Sequence, residues 1–87
     1  MSTPQVFGWA NTLEVGITEN IAAEVHVGLT PDFTPGVDTY QGVLYGPGTF
    51  HVIGTPTGVD LYAQLVAPGG GDMSASVGPV QTTALTS

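Results

Sequence analysis

The chain has 87 residues, enough for one small domain, with no Lys, no Arg, no Cys, seven acidic residues and a formal net charge of −7. Without basic side chains to neutralise phosphates, nucleic acid and anionic membrane surfaces are excluded as partners, and a phosphorylated ligand would have only backbone amides to hold it. Without thiols there is neither a disulfide nor a Cys-built zinc site, so a core burying only about 60–65% of the unfolded surface must hold the fold.

Taken in chain order, the apolar residues recur with a period of two. Gln5–Ala10 is a weak first strand. In Thr12–Thr18, Leu13, Val15 and Ile17 share one face while Glu14 and Gly16 take the other. In Ile21–Leu29 the inward set is Ile21, Ala23, Val25, Val27 and Leu29, which puts Glu24 and His26 on a wet face. Thr30-Pro31-Asp32-Phe33-Thr34-Pro35-Gly36 is a long turn-rich link. Gln41–Tyr45 and Thr49–Ile53 follow as weaker strands around Gly46-Pro47-Gly48, with His51 on the wet face between inward Phe50 and Val52. Leu61–Ala67 alternates again, Leu61, Ala63, Leu65 and Ala67 against Tyr62, Gln64 and Val66. Pro68-Gly69-Gly70-Gly71-Asp72 reads as a flexible hairpin loop, Val77–Thr83 as the last strand, and Thr82–Ser87 as a polar, frayed tail.

Helix is disfavoured throughout, because Gly, Thr, Val and Pro dominate. The expected fold is therefore all-β: a two-sheet antiparallel β-sandwich of about seven short strands. Residues 1–10 form an N-terminal arm or first strand, residues 11–85 the sandwich, and residues 86–87 a tail. Hydrophobic residues at 41% and a positive mean hydropathy argue against disorder. No run of about 18 apolar residues offers a membrane helix, and Met1-Ser2-Thr3-Pro4 lacks the basic and apolar regions of a signal peptide. The initial Met fits either a whole small reading frame or an excised domain of a longer chain.

From about Asn11 to Leu85 the chain resembles a fibronectin type III-like (immunoglobulin-like) domain of the short kind found on tailed-phage virion proteins. Ala23 through Pro35 resembles the family's central strand and its following loop, here Leu29-Thr30-Pro31-Asp32-Phe33-Thr34-Pro35. Pro56 through Ala67 resembles the segment usually written Pro-x-Gly-Thr-x-Tyr-Tyr-Val-Arg-Leu-Val-Ala, and Gly71 through Thr83 the last hairpin and strand. There are departures. The family's corner tyrosine falls on Leu61, its early core Trp falls on Ile17, and Gln64 stands where Arg is common. Trp9 is the candidate to restore the missing bulk, although Phe7-Gly8-Trp9 could equally project as an anchor.

Residues able to do chemistry are few. His26, His51 and Glu24 are the only candidates for a metal or acid–base pair, and strands in different sheets would point the histidines apart. Asp32, Asp38, Asp60 and Asp72 lie in loops, without calcium-loop spacing, and would need to cluster at one pole to bind an ion. Ser74 and Ser76 have no neighbouring His, and Gly69–Gly71 lacks the Lys and the helix of a phosphate loop. The reading is a non-enzyme without cofactor or metal. Recognition would fall to exposed aromatics, with Phe7, Trp9, Phe33, Tyr45 and Tyr62 as candidate contacts and Tyr40 beside them.

The resemblance then implies a virion structural protein, a decoration or minor protein of a phage capsid or tail that docks on the particle surface. Its partner would be the major capsid or tail protein, with self-association into a homo-oligomer left open, and its location the virion surface after synthesis in the host cytoplasm. The alternatives are an adhesion module for host-surface glycans, or a spacer of a longer tail fibre.

Overall fold

The computed structural model describes residues 1–84, and among them there is no helix. Seven strands form: β1 (Gln5–Trp9), β2 (Thr12–Ile17), β3 (Ala22–Gly28), β4 (Tyr40–Tyr45), β5 (Gly48–Ile53), β6 (Leu61–Val66) and β7 (Val77–Val80). They build two antiparallel sheets, ordered β1-β2-β5 and β4-β3-β6-β7. The expected sandwich is what the chain adopts.

Alternation explains how the layers meet. Leu13, Val15 and Ile17 of β2 and Val52 of β5 face Ala23 and Val25 of β3, Leu44 of β4, and Ala63 and Leu65 of β6. Each is under a tenth exposed, and removing these side chains from water supplies the main driving force. Phe50 points in from β5, and its ring takes the space over Gly42 of β4 that a Cβ would fill. Gly42 also adopts a positive φ of 146°, so two constraints favour glycine there. The pair keys one sheet into the other.

Both ends of the described chain close the sandwich. Met1 packs partly buried against the core, and its amine lies 2.9 Å from Asp72 Oδ2 in the β6–β7 loop. The Ser2 N–H donates to Glu19 Oε1 at 2.8 Å. At the opposite pole the chain leaving β7 crosses to the other sheet. Thr83 pairs in parallel with Ala10, its N–H donating to the Trp9 carbonyl and its carbonyl accepting the Asn11 N–H. Thr82 pairs with Thr57 and is 2% exposed. Thr82 and Thr83 are thus strapped down rather than frayed, because their backbone groups find partners on both layers. Leu85 and the expected tail at 86–87 lie outside the described residues.

Trp9 does not replace the core bulk. Register places Gly8, not Trp9, on the inward face opposite Leu13, and the Gln81 carbonyl occupies the room beside Gly8. Trp9 is 56% exposed, while Ile17 itself completes the core. The open question at Phe7-Gly8-Trp9 is settled: the two rings project.

His26 is not on a wet face either; only 5% of it is accessible. It does point outward from β3, but two features cover it. The β3–β4 register shifts so that Val25 faces Gly42 while His26 faces Tyr40, leaving Gln41 as a bulged residue. The bulge turns Tyr40 onto the same face as His26, and bulges commonly re-aim side chains this way. The two rings meet edge-on at 5.7 Å between centroids. The β3–β4 loop then folds back over them, where Thr39 Oγ1 meets His26 Nδ1 at 2.9 Å.

Candidate interaction surface

Strand register places the side chains of the outer β1-β2-β5 face in three rows. Phe7, Glu14 and His51 form the middle row. Trp9, Thr12 and Ile53 form the row toward the β1–β2 turn, and Gln5, Gly16 and Thr49 the row toward the N-terminal segment. Phe7 is 50%, Trp9 56% and Ile53 78% exposed. Two residues along a strand span about 7 Å, and two strand spacings about 10 Å, so these apolar groups bound one continuous patch. In its midst His51 Nε2 lies 3.1 Å from Glu14 Oε1. The last row opens into a depression of about 230 Å³ lined by Ser2, Thr3, Gln5, Gly16, Thr18 and Thr49.

Of the five expected aromatic contacts, the structure brings together Phe7 and Trp9. Tyr45 stands highly exposed at the end of edge strand β4, on the other sheet. Phe33 and Tyr62 serve the fold instead. Phe33 lies against Gly28, where a Cβ would strike its ring. Tyr62, half-buried and paired with Gly28 in register, lies against Gly78 in the same way. Both rings cover glycines that offer the sheet no side chain of their own. Ile53 is not among the expected contacts, although the alternation of Thr49, His51 and Ile53 carries the signal.

The titratable candidates separate. His26 sits with Glu24, Nε2 to Oε1 at 3.5 Å, while His51 pairs with Glu14 on the other sheet. Asp60 precedes β6 and accepts a bond from Gln81, whereas Asp72 follows β6 at the far end, so the loop aspartates do not gather at one pole. Among the described residues, no three His, Asp or Glu side chains come together around a metal-sized space.

The His26 cleft is the other recess of note. About 320 Å³ of space lies between the outer face of the four-stranded sheet and the β3–β4 loop, lined by Glu24, His26, Pro35, Gly36, Val37, Tyr40 and Val66. Comparison with family models, curated proteins and solved structures returned no match.

Proposed function

We propose that this chain is a non-enzymatic structural protein that docks on a larger assembly, most specifically a decoration protein on the surface of a virion. The observation behind this reading is the patch formed by Phe7, Trp9 and Ile53 on the outer face of the three-stranded sheet. Aromatic side chains bury about 150–250 Å² each when fully covered, so covering the exposed halves of Phe7 and Trp9 removes about 100 Å² apiece. At about 25 cal/mol per Å² this is roughly 2–3 kcal/mol per ring. Docking by apolar burial suits a surface with no Lys or Arg, because ion pairs to an acidic partner are closed to it. The virion assignment rests on the resemblance of the three stretches named above and on the seven-strand sandwich. A ligand that binds only the assembled shell stabilises it by mass action.

The test uses particles that carry the protein. Deleting it, or supplying Phe7→Ala/Trp9→Ala to stripped particles, should abolish co-sedimentation and lower heat and osmotic survival. Tyr45→Ala, on the other sheet, should bind as the parent does. Particles that never carry the protein, or that survive equally well without it, would sink the decoration reading.

One observation favours a second reading. The depression bearing the hydroxyls of Ser2, Thr3, Thr18 and Thr49 opens from the row next to that of Phe7, and an aromatic ring one row from hydroxyls over a glycine floor suits a sugar. A glycan-binding module would show saturable binding to cell-wall sugars, lost in Phe7→Ala but indifferent to particle assembly.

A further inference from the structure

We propose that the cleft beneath the β3–β4 loop receives an organic cation, the side chain of an arginine or lysine presented by a protein partner. This site lies on the sheet opposite the Phe7–Trp9 patch and does not depend on the docking reading of that patch.

Shape sets the first limit. At about 320 Å³ the cleft falls at the small end of ligand pockets, which suits one extended side chain. Its walls then select the chemistry. Pro35, Val37 and Val66 offer apolar contact for a methylene stem, and the Tyr40 ring, 46% exposed, offers a surface to which cations are attracted. Glu24, with 32% of its side chain accessible, supplies a carboxylate for the head group. An apolar stem ending beside an aromatic ring and a carboxylate matches the amphipathic build of Lys and Arg.

Electrostatics excludes the rivals. A phosphate or carboxylate ligand would meet Glu24 within the field of a chain carrying −7. A neutral apolar side chain would cover Glu24 and leave its charge unpaired, which is costly. A cation does neither. The sequence contains no Lys or Arg, so such a charge must come from a partner.

The receptor is held ready by hydrogen bonds. Thr39 Oγ1 accepts the Gly36 N–H at 2.9 Å, donates to the Gly36 carbonyl at 3.1 Å and meets His26 Nδ1 at 2.9 Å. The Ser76 hydroxyl donates to the Pro31 carbonyl and ties the start of the loop to the chain before β7.

The experiment is an NMR titration of the intact chain with Nα-acetyl-arginine amide and Nα-acetyl-lysine amide, against Nα-acetyl-citrulline amide and Nα-acetyl-norleucine amide as neutral controls. The cationic probes should give saturable shifts centred on Glu24, Tyr40 and Val66, with the neutral ones at least tenfold weaker. Glu24→Gln should reduce affinity at least tenfold with the rest of the spectrum unchanged, and Tyr40→Leu should weaken it several-fold while keeping the wall apolar. Phe7→Ala/Trp9→Ala should bind the probes as the parent does, which separates this site from the docking patch. Equal response to neutral probes, or shifts spread over all surface carboxylates and unchanged in Glu24→Gln, would overturn the proposal.

Discussion

Thr55 Oγ1 donates to Thr82 Oγ1 across 2.9 Å, and Thr82 Oγ1 passes its own proton to the Pro56 carbonyl at 3.0 Å. Both threonines are buried, so this short relay joins the chain after β7 to the β5–β6 loop out of reach of water. A buried polar group left without its partner costs about 1–3 kcal/mol. Thr82→Val should lower unfolding free energy by about that amount, read by urea denaturation with an unchanged m-value. Thr55→Val/Thr82→Val should recover part of the loss, because no orphaned hydroxyl remains. A fully additive double variant would show that the two hydroxyls are not coupled.

Gly28 and Phe33 give a second cycle. A Cβ at Gly28 meets the Phe33 ring, so Gly28→Ala should cost about 1–3 kcal/mol, the usual range for forced overpacking. In a Phe33→Ala background the same change should cost much less, since the obstructing ring is gone. Equal costs in both backgrounds would show that Phe33 does not rest on Gly28 in solution.

The single Trp reports on the proposed docking face directly. More than half exposed, Trp9 should emit at long wavelength in the folded protein, be quenched readily by acrylamide and shift little on unfolding. Iodide should quench it less than caesium does, because the net charge repels anions. Trp9→Ala should change stability by no more than about 0.5 kcal/mol, as expected for a surface substitution. A blue-shifted, poorly quenched emission would place the ring in the core after all.

The amine of Met1 and the carboxylate of Asp72 predict a pH window. The hydrogen bond from the amine, then that from the Met73 N–H and the amine's charge, hold the Asp72 carboxyl below its ordinary 3.8. The same hydrogen bond, with the charge of Asp72, raises the amine above 8.0. A depressed carboxyl stabilises above its unfolded value, and that contribution disappears as pH falls through the folded one. A raised amine stabilises below its unfolded value, and loses that contribution as pH climbs through the folded one. The contribution should therefore be complete between 3.8 and 8.0, fading only as pH falls through the lowered Asp72 value or climbs through the raised amine value. Carboxyl-resolved NMR should show Asp72 titrating below 3.8, moving back toward that value when the amine is acetylated. At the same pole, hydrogen bonds from the Ser2 side chain and backbone hold Glu19 low, so it should titrate below its ordinary 4.5.

Strand existence was legible wherever alternation ran unbroken. Leu13-Glu14-Val15-Gly16-Ile17 and Leu61-Tyr62-Ala63-Gln64-Leu65 state their buried faces outright, and β2 and β6 follow within a residue of the expected bounds. The same logic placed Glu24 and His26 on the outer face correctly and still misjudged His26. Alternation specifies which side of a sheet a residue takes, but not what a loop eleven residues long will lay over it. The extra residue Gln41, which sets Tyr40 beside His26, has no periodic signature of its own. For Trp9 the residues alone allow both core bulk and a projecting anchor. Its bulk suggested the core, whereas its register with Thr12 fixed it outside, and register is a property of two strands rather than one. The fate of Thr82 was hidden for a similar cause. A polar pair at a chain end looks solvated until a buried hydroxyl from Thr55 is found to need it.

The strap at Thr82–Thr83 and the cap at Met1 sit at opposite ends of a body whose longest dimension is 40 Å. A pull applied through Met1 and Thr83 would load the parallel bridge between Ala10 and Thr83 in shear, with its hydrogen bonds strained together rather than unzipped singly. Copies threaded head to tail would extend in a line instead of folding back on one another.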